Sequence, residues 1–337
     1  MMSPTVKFIA LALTALVALA ACREEAKTSD EFPKLDNPII DGVTERIQKE
    51  PGNAVLYFER ANLLHRLEMD SMALNDYKKA ISLDSTKSHY YSALGDLLFE
   101  HKDITGSITW LQKAIQLNPK DPVAHLKIAK MHIILNEYDK AFESINTVLR
   151  QDVYNPEGYL LKGIAYKNLK DTAKALSSFQ TALNALPTYK EAMMQLGLLY
   201  AAKKDPLALK YYDNAFAQDT TDVSPIYNKG MYYWNQEKVE EAKKEFTNAI
   251  LKDQNYANAF FGMGRALMQQ DSLEKARRQF NIVIGTEPDN VEAYFNRGLC
   301  SEMMGNKAEA MEDYEQALRF NPDYQPAAEA KKRLGGK

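Results

Sequence analysis

The chain has 337 residues, 45% of them hydrophobic, and carries 42 Lys and Arg against 45 Asp and Glu for a net charge of −3. That near-balance lacks the basic excess that binding to nucleic acid or an anionic membrane face requires. The 2 cysteines, Cys22 and Cys300, cannot build a disulfide framework, so cohesion must come from packing. At the start of the chain, Lys7 precedes a run from Phe8 to Ala21 that holds no charged residue. The run fits the apolar region of a signal peptide and is shorter than the roughly 20 residues a membrane-spanning helix needs.

The run stops at Leu19, Ala20, Ala21 and Cys22. That quartet resembles the lipobox of bacterial lipoproteins, which implies removal of residues 1–21 and lipidation of Cys22. Removal would leave 41 basic against 45 acidic side chains. Residues 22–36 are polar and aperiodic, and predict a flexible tether spanning roughly 20 Å as a coil. "CREE" is similar to the export signal of surface lipoproteins in the Bacteroidetes. The resemblance thus implies a lipid anchor in the bacterial envelope, at the outer membrane, facing either the periplasm or the cell surface. From Asn37 to Asn53 the sequence predicts one capping helix with Asn37 as N-cap and Pro38 at the first helical position. Its residues Ile40, Val43 and Ile47 are set to pack on the helices that begin at residue 54.

Residues 54–324 repeat themselves. Small residues recur at Ala61, Gly95, Ala129, Gly163, Gly197, Gly230, Gly264 and Gly298, and a second series runs Ala73, Ser107, Ala141, Ala175, Ala208, Ala242, Ala276 and Ala310. The step is 34 residues, with a single step of 33 in each series. The short unit loses its residue within "AAKKDP", residues 201–206. Four residues after the second series stand Tyr77, Leu111, Ile145, Phe179, Tyr212, Phe246, Phe280 and Tyr314. Apolar residues within each unit follow the spacing of three and four that marks amphipathic helices. Small residues where two helices cross let the backbones approach, and the larger side chain one turn later fills the space beside them. No such unit buries its apolar face alone, so neighbours must stack.

The pattern resembles the tetratricopeptide repeat, in eight consecutive copies. The resemblance implies an all-α fold, a right-handed superhelical solenoid of helix–turn–helix units with capping helices at both ends. Residues 325–337 predict the closing helix and tail, with Ala327, Ala328 and Leu334 buried and Lys331, Lys332 and Arg333 solvated.

Little in the sequence points to catalysis. The 5 histidines, His65, His89, His101, His125 and His132, lack the spacing of a metal site. Gly262 and Gly264 form a Gly-x-Gly inside a repeat helix with no strand before it, which excludes a nucleotide loop. Cys300 sits at a packing position with no base beside it. The sequence therefore predicts no enzyme, cofactor or metal.

The resemblance also implies a binding surface, because first helices of such arrays line a concave groove. Its positions are polar in the early repeats, at Asn62, His65, His89, Asp96 and Lys130. Later they become Met194 and Leu198, then Tyr227, Met231 and Trp234, then Phe261, Arg265 and Met268, then Phe295. Aromatic and methionine side chains with an arginine among them suit a protein or peptide segment. The expected function is a non-catalytic scaffold or adaptor serving an envelope machinery. The alternative is capture of a glycan or small molecule for an outer-membrane uptake system.

Overall fold

A computed structural model describes residues 35–335. The expected signal peptide, Cys22 and nearly all of the tether lie outside the described residues. Within them every regular element is an α-helix, and they divide into two compact units, residues 35–137 and 138–335. Unit 1 holds α1 (Pro38–Lys49), α2 (Ala54–Arg66), α3 (Asp70–Leu83), α4 (Ser88–Glu100), α5 (Ile104–Leu117) and α6 (Pro122–Ile134). Unit 2 opens with α7 (Tyr138–Gln151), α8 (Pro156–Asn168), α9 (Thr172–Ala185), α10 (Lys190–Ala202) and α11 (Leu207–Gln218). It continues with α12 (Ser224–Trp234), α13 (Val239–Lys252), α14 (Ala257–Gln269), α15 (Leu273–Thr286), α16 (Val291–Met303), α17 (Lys307–Phe320) and α18 (Gln325–Gly335).

Inside each unit the two helices of a repeat pack on each other, and each second helix packs on the first helix of the next repeat. In unit 2 the first helices α10, α12, α14 and α16 also touch in succession. The crossings are built as the small-and-large series requires. A Cβ placed on Gly163, Gly197 or Gly230 would lie 2.5 Å from the ring of Phe179, Tyr212 or Phe246 respectively. Those rings are at most 1% exposed. Glycine is therefore what lets these backbones close on an aromatic ring.

Helix starts follow from side-chain capping. Asn37, Asn53, Asp103, Asp121, Asn155, Asp171 and Asn290 each accept a hydrogen bond from a backbone N–H of the first turn. The turn inside a repeat is held by a left-handed residue. Glu68, Lys102, Asn136, Lys170, Lys204, Glu237 and Asp271 have φ between 55° and 63°, and Gly305 has φ 87°. In the first repeat the N–H of Met69 then reaches the carbonyl of Leu64 at 3.0 Å, closing the helix end. Lys204 keeps this turn in the short repeat. The missing residue falls at the head of α11, which has 12 residues where the other second helices have 14, with Pro206 just before it.

The ends behave as caps. Ile40, Val43 and Ile47 of α1 join the core of unit 1. In α18, Ala327 and Ala330 are buried against Tyr314 and Ala317. Two of its basic residues, expected to be merely solvated, are tied down: Lys331 to Glu315 at 2.8 Å and Arg333 to Glu302 at 2.7 Å.

Candidate functional site

The first helices of the sixth and seventh repeats, α12 and α14, enclose the strongest candidate. Positions one helical turn apart share a face, so α12 presents Tyr227, Met231 and Trp234 together, and α14 presents Asn258, Phe261 and Arg265. With Phe246, Gly262 and Glu292 they line a cavity of about 190 Å³. An apolar cavity of about 150 Å³ takes a benzene ring, so this one matches a single bulky apolar side chain. The Arg265 guanidinium lies 5.2 Å from the centre of the Trp234 ring and covers part of it. Arg265 and Glu292 are both exposed and make no ion pair among the described residues. The pocket thus offers a socket walled by aromatic rings and Met231, with polar groups and one charge of each sign in its lining. Burial raises the Tyr227 phenol above its ordinary value, so it stays a neutral hydrogen-bonding group at physiological pH.

Three aromatic side chains at the same repeat position serve packing as well as lining. Tyr227 leans on Phe246 at 5.8 Å, Phe261 on Phe280 at 5.5 Å and Phe295 on Tyr314 at 5.7 Å. The structure does not bring every sequence-predicted residue to the cavity. Met194 packs against Tyr212 and Tyr232, Met268 against Phe280 and Cys300, and Phe295 against the core around Tyr314. Leu198 stands apart from the cavity and is 40% exposed.

The polar early positions are largely occupied by neighbouring side chains. Asn62 accepts from the Tyr77 hydroxyl at 2.8 Å, and Lys127 donates to Asp96 at 2.7 Å. His65 and His101 both contact Asp70, at 2.8 and 2.9 Å, and those bonds hold the Asp70 carboxyl below its usual pKa. Lys130 lies over the Phe99 ring at 5.6 Å. Among the described residues no group of three or more His, Cys, Asp or Glu is placed to hold a metal ion. Cys300 is buried, and burial pushes its thiol up to about 12.

Sequence reasoning missed two largely buried ion pairs. Arg60 grips Asp76 at 2.6 and 2.7 Å, and Arg297 grips Asp313 at 3.0 and 2.6 Å. In each the arginine precedes the small residue of the first helix and the aspartate stands 16 residues later. That shared spacing was the available signal.

Tetratricopeptide repeat models match residues 54–87, 156–188, 227–284 and 291–324, and a TPR repeat model matches residues 95–133, together more than half of the chain. The chain belongs to the tetratricopeptide repeat family. Stacked repeats of this kind serve as protein-interaction scaffolds. Similar curated proteins include the DnaJ protein P58IPK homolog of Arabidopsis thaliana, 26% identical over 217 residues, which are 60% of this chain and 42% of that one. Peptidyl-prolyl cis-trans isomerase FKBP4 of Homo sapiens is 30% identical over 125 residues, 36% of this chain and 27% of that one. The chain spans less than half the length of either relative.

Among solved structures, a tetratricopeptide repeat protein from Parabacteroides merdae aligns with a TM-score of 0.56 at 17% identity, covering 74% of this chain and 99% of that one. PilW, a widely conserved type IV pilus biogenesis factor, aligns at 0.54 and 22%, covering 62% and 97%. These likenesses show the fold.

Proposed function

We propose that this chain is a cell-envelope lipoprotein whose tetratricopeptide array acts as a non-catalytic adaptor, holding a segment of a partner protein on the first helices of unit 2. The observation that carries the reading is the cavity between α12 and α14, where Trp234, Met231, Tyr227 and Phe261 surround a socket that Asn258, Arg265 and Glu292 also line. Such a socket suits an anchoring side chain from a partner, and anchors of this kind supply most of the affinity of an interface. Lys7, the uncharged run to Ala21 and Cys22 support the envelope part of the reading.

Affinity capture from cells, comparing the native chain with a Trp234→Ala, Arg265→Ala double variant, tests the groove. Phe261 is left in place because its ring also packs on Phe280. A partner that is captured by the native chain and lost by a variant of unchanged helicity and melting supports the reading. Retention of the same partners by the variant refutes it. The anchor is tested separately: Cys22→Ser should move the protein from the membrane fraction to the soluble fraction, and persistence in the membrane would contradict lipidation there.

A further inference from the structure

The second helices of unit 2 present three successive grooves, and these differ in chemistry. The groove between α15 and α17 is the largest, about 630 Å³, and is lined by charge. Most of its charges pair with one another: Arg277 with Glu309 at 2.5 Å and Glu274 at 3.3 Å, and Arg297 with Asp313 at 2.6 Å. The groove between α13 and α15 is apolar. Its volume is about 380 Å³, with Phe260, Met263 and Leu267 of α14 at the floor and Ile250 and Leu251 of α13 along one wall. The only charged residues lining it are Lys275 and Arg278. A third groove of about 400 Å³, between α11 and α13, carries Phe216 and Ile226 and shares Leu251.

Leu251 is the ridge between these last two grooves and is 72% exposed. A lone exposed leucine is ordinary. This one joins the apolar α13–α15 hollow to Phe216 and Ile226 of the next groove, while the neighbouring groove on the other side, built from equivalent helices, is charged. Apolarity here is thus a property of these repeats, beyond what the repeat fold imposes. The lining of the strip is net positive, with Lys229, Lys252, Lys275 and Arg278 against Asp213 and Glu245. The acids of the α11–α13 groove, Asp213 and Glu245, share one lysine, Lys229, at 2.8 and 3.6 Å, so with Lys252 that groove is charge-balanced and the excess positive charge lies at the α13–α15 groove. Lys252 lies over the Phe216 ring at 5.1 Å, and neither it nor Lys275 makes an ion pair among the described residues. Arg278 has only a 3.7 Å contact with Glu274, at the surface.

We propose that this face is a second docking surface, independent of the first-helix cavity, and that its occupant is an acidic amphipathic helix of a partner protein. A groove between two helices takes the side-chain ridge of a third. Glutamates or aspartates flanking that ridge would meet Lys252, Lys275 and Arg278, while a basic helix would face uncompensated like charge.

Two labelled synthetic 18-residue helices with the same leucine stripe, one bearing glutamates and one lysines on the polar face, test this by fluorescence anisotropy against the full chain. The acidic helix should bind at least about tenfold more tightly than the basic one. A Lys275→Glu, Arg278→Glu variant should invert that preference, Leu251→Asp should abolish binding, and Trp234→Ala should leave it unchanged. All of these positions are at least partly exposed, so unchanged melting curves show that the variants remain folded. Equal binding of the two helices, or a preference that survives the charge reversal, overturns the proposal. So does loss of binding in Trp234→Ala, which would move the helix to the first-helix cavity. If phosphatidylglycerol vesicles bind through Leu251 and the acidic helix does not, the occupant is a lipid surface. If the chain instead forms a dimer in sedimentation that Leu251→Asp dissolves, the occupant is a second copy. Either result overturns the proposal as stated.

Discussion

Replacing Gly230 by alanine puts the packing account at risk. In an open helical position, Gly→Ala stabilises a protein by about 0.5–1 kcal/mol through lost chain entropy in the unfolded state. At Gly230 the new Cβ would lie 2.5 Å from one ring carbon of Phe246 and 2.6 Å from the next. Carbon atoms pack at about 3.5–4.0 Å, so the ring must shift by roughly 1 Å. It has little room to move, because Phe246 is 0% exposed and the tip of its ring also abuts Gly262, where a Cβ would be 2.8 Å from Cζ. Overpacking of this kind costs about 1–3 kcal/mol. Crowding therefore outweighs propensity, with a net loss of about 1–2 kcal/mol. The internal control is Gly285→Ala in α15, where a Cβ meets nothing within 4 Å and stability should rise. Urea unfolding followed by Trp234 fluorescence in a Trp110→Phe background reads the sixth repeat directly, since the chain has 2 tryptophans. Adding Phe246→Leu to Gly230→Ala should cost less than the two single changes summed. If Gly230→Ala raises the midpoint as Gly285→Ala does, the close-crossing argument is wrong.

Two other outcomes rest on the charges of unit 1. Asp76→Ala should cost about 3–5 kcal/mol, because it takes the carboxylate from a charged pair whose side chains are both 8% exposed, whereas breaking the exposed Arg46–Glu59 pair should cost under about 1 kcal/mol. Matched urea midpoints of Asp76→Ala and Glu59→Ala decide this. Asp70, whose folded carboxyl is held below its ordinary value of 3.8 by hydrogen bonds from His65 and His101, contributes stability that is complete above that value. The contribution is lost as pH falls through the lower folded value, so an Asp70→Asn variant should show a flatter acid limb in a melting-against-pH series. An acid limb identical to that of the native chain would remove Asp70 from the account.

Much of this architecture was legible in the residues because two series at fixed spacing carry it. A glycine or alanine at the crossing and a ring one turn later leave the backbones a single way to meet, as Gly163 with Phe179 and Gly197 with Tyr212 show. The opening cap was equally plain, since Asn37 and Pro38 are residues that start helices. The left-handed turn residues were not visible, because seven of the eight are Glu, Lys, Asn or Asp and only Gly305 carries the usual mark of that conformation. The site was legible in part. Periodicity identified which side of α12 and α14 faces the cavity, but it could not divide an aromatic side chain between lining and packing. Phe295 and Met268 pack, partly buried, against the clusters around Tyr314 and Phe280. The apolar strip around Leu251 was not legible, because periodicity treats each second helix separately and the strip exists only where two of them flank α14.

The central claim is that a partner segment sits in the socket between α12 and α14. Placing a photoreactive benzoylphenylalanine at Met231 in the native chain, irradiating cells, and comparing with the same probe at the exposed Glu241 of α13 tests it most directly. A partner seated in the socket predicts one discrete adduct from position 231, absent from position 241 and lost when Arg265→Ala is added. Adducts of equal yield from both positions, or none from position 231 in cells where the chain still captures its partner, would contradict it.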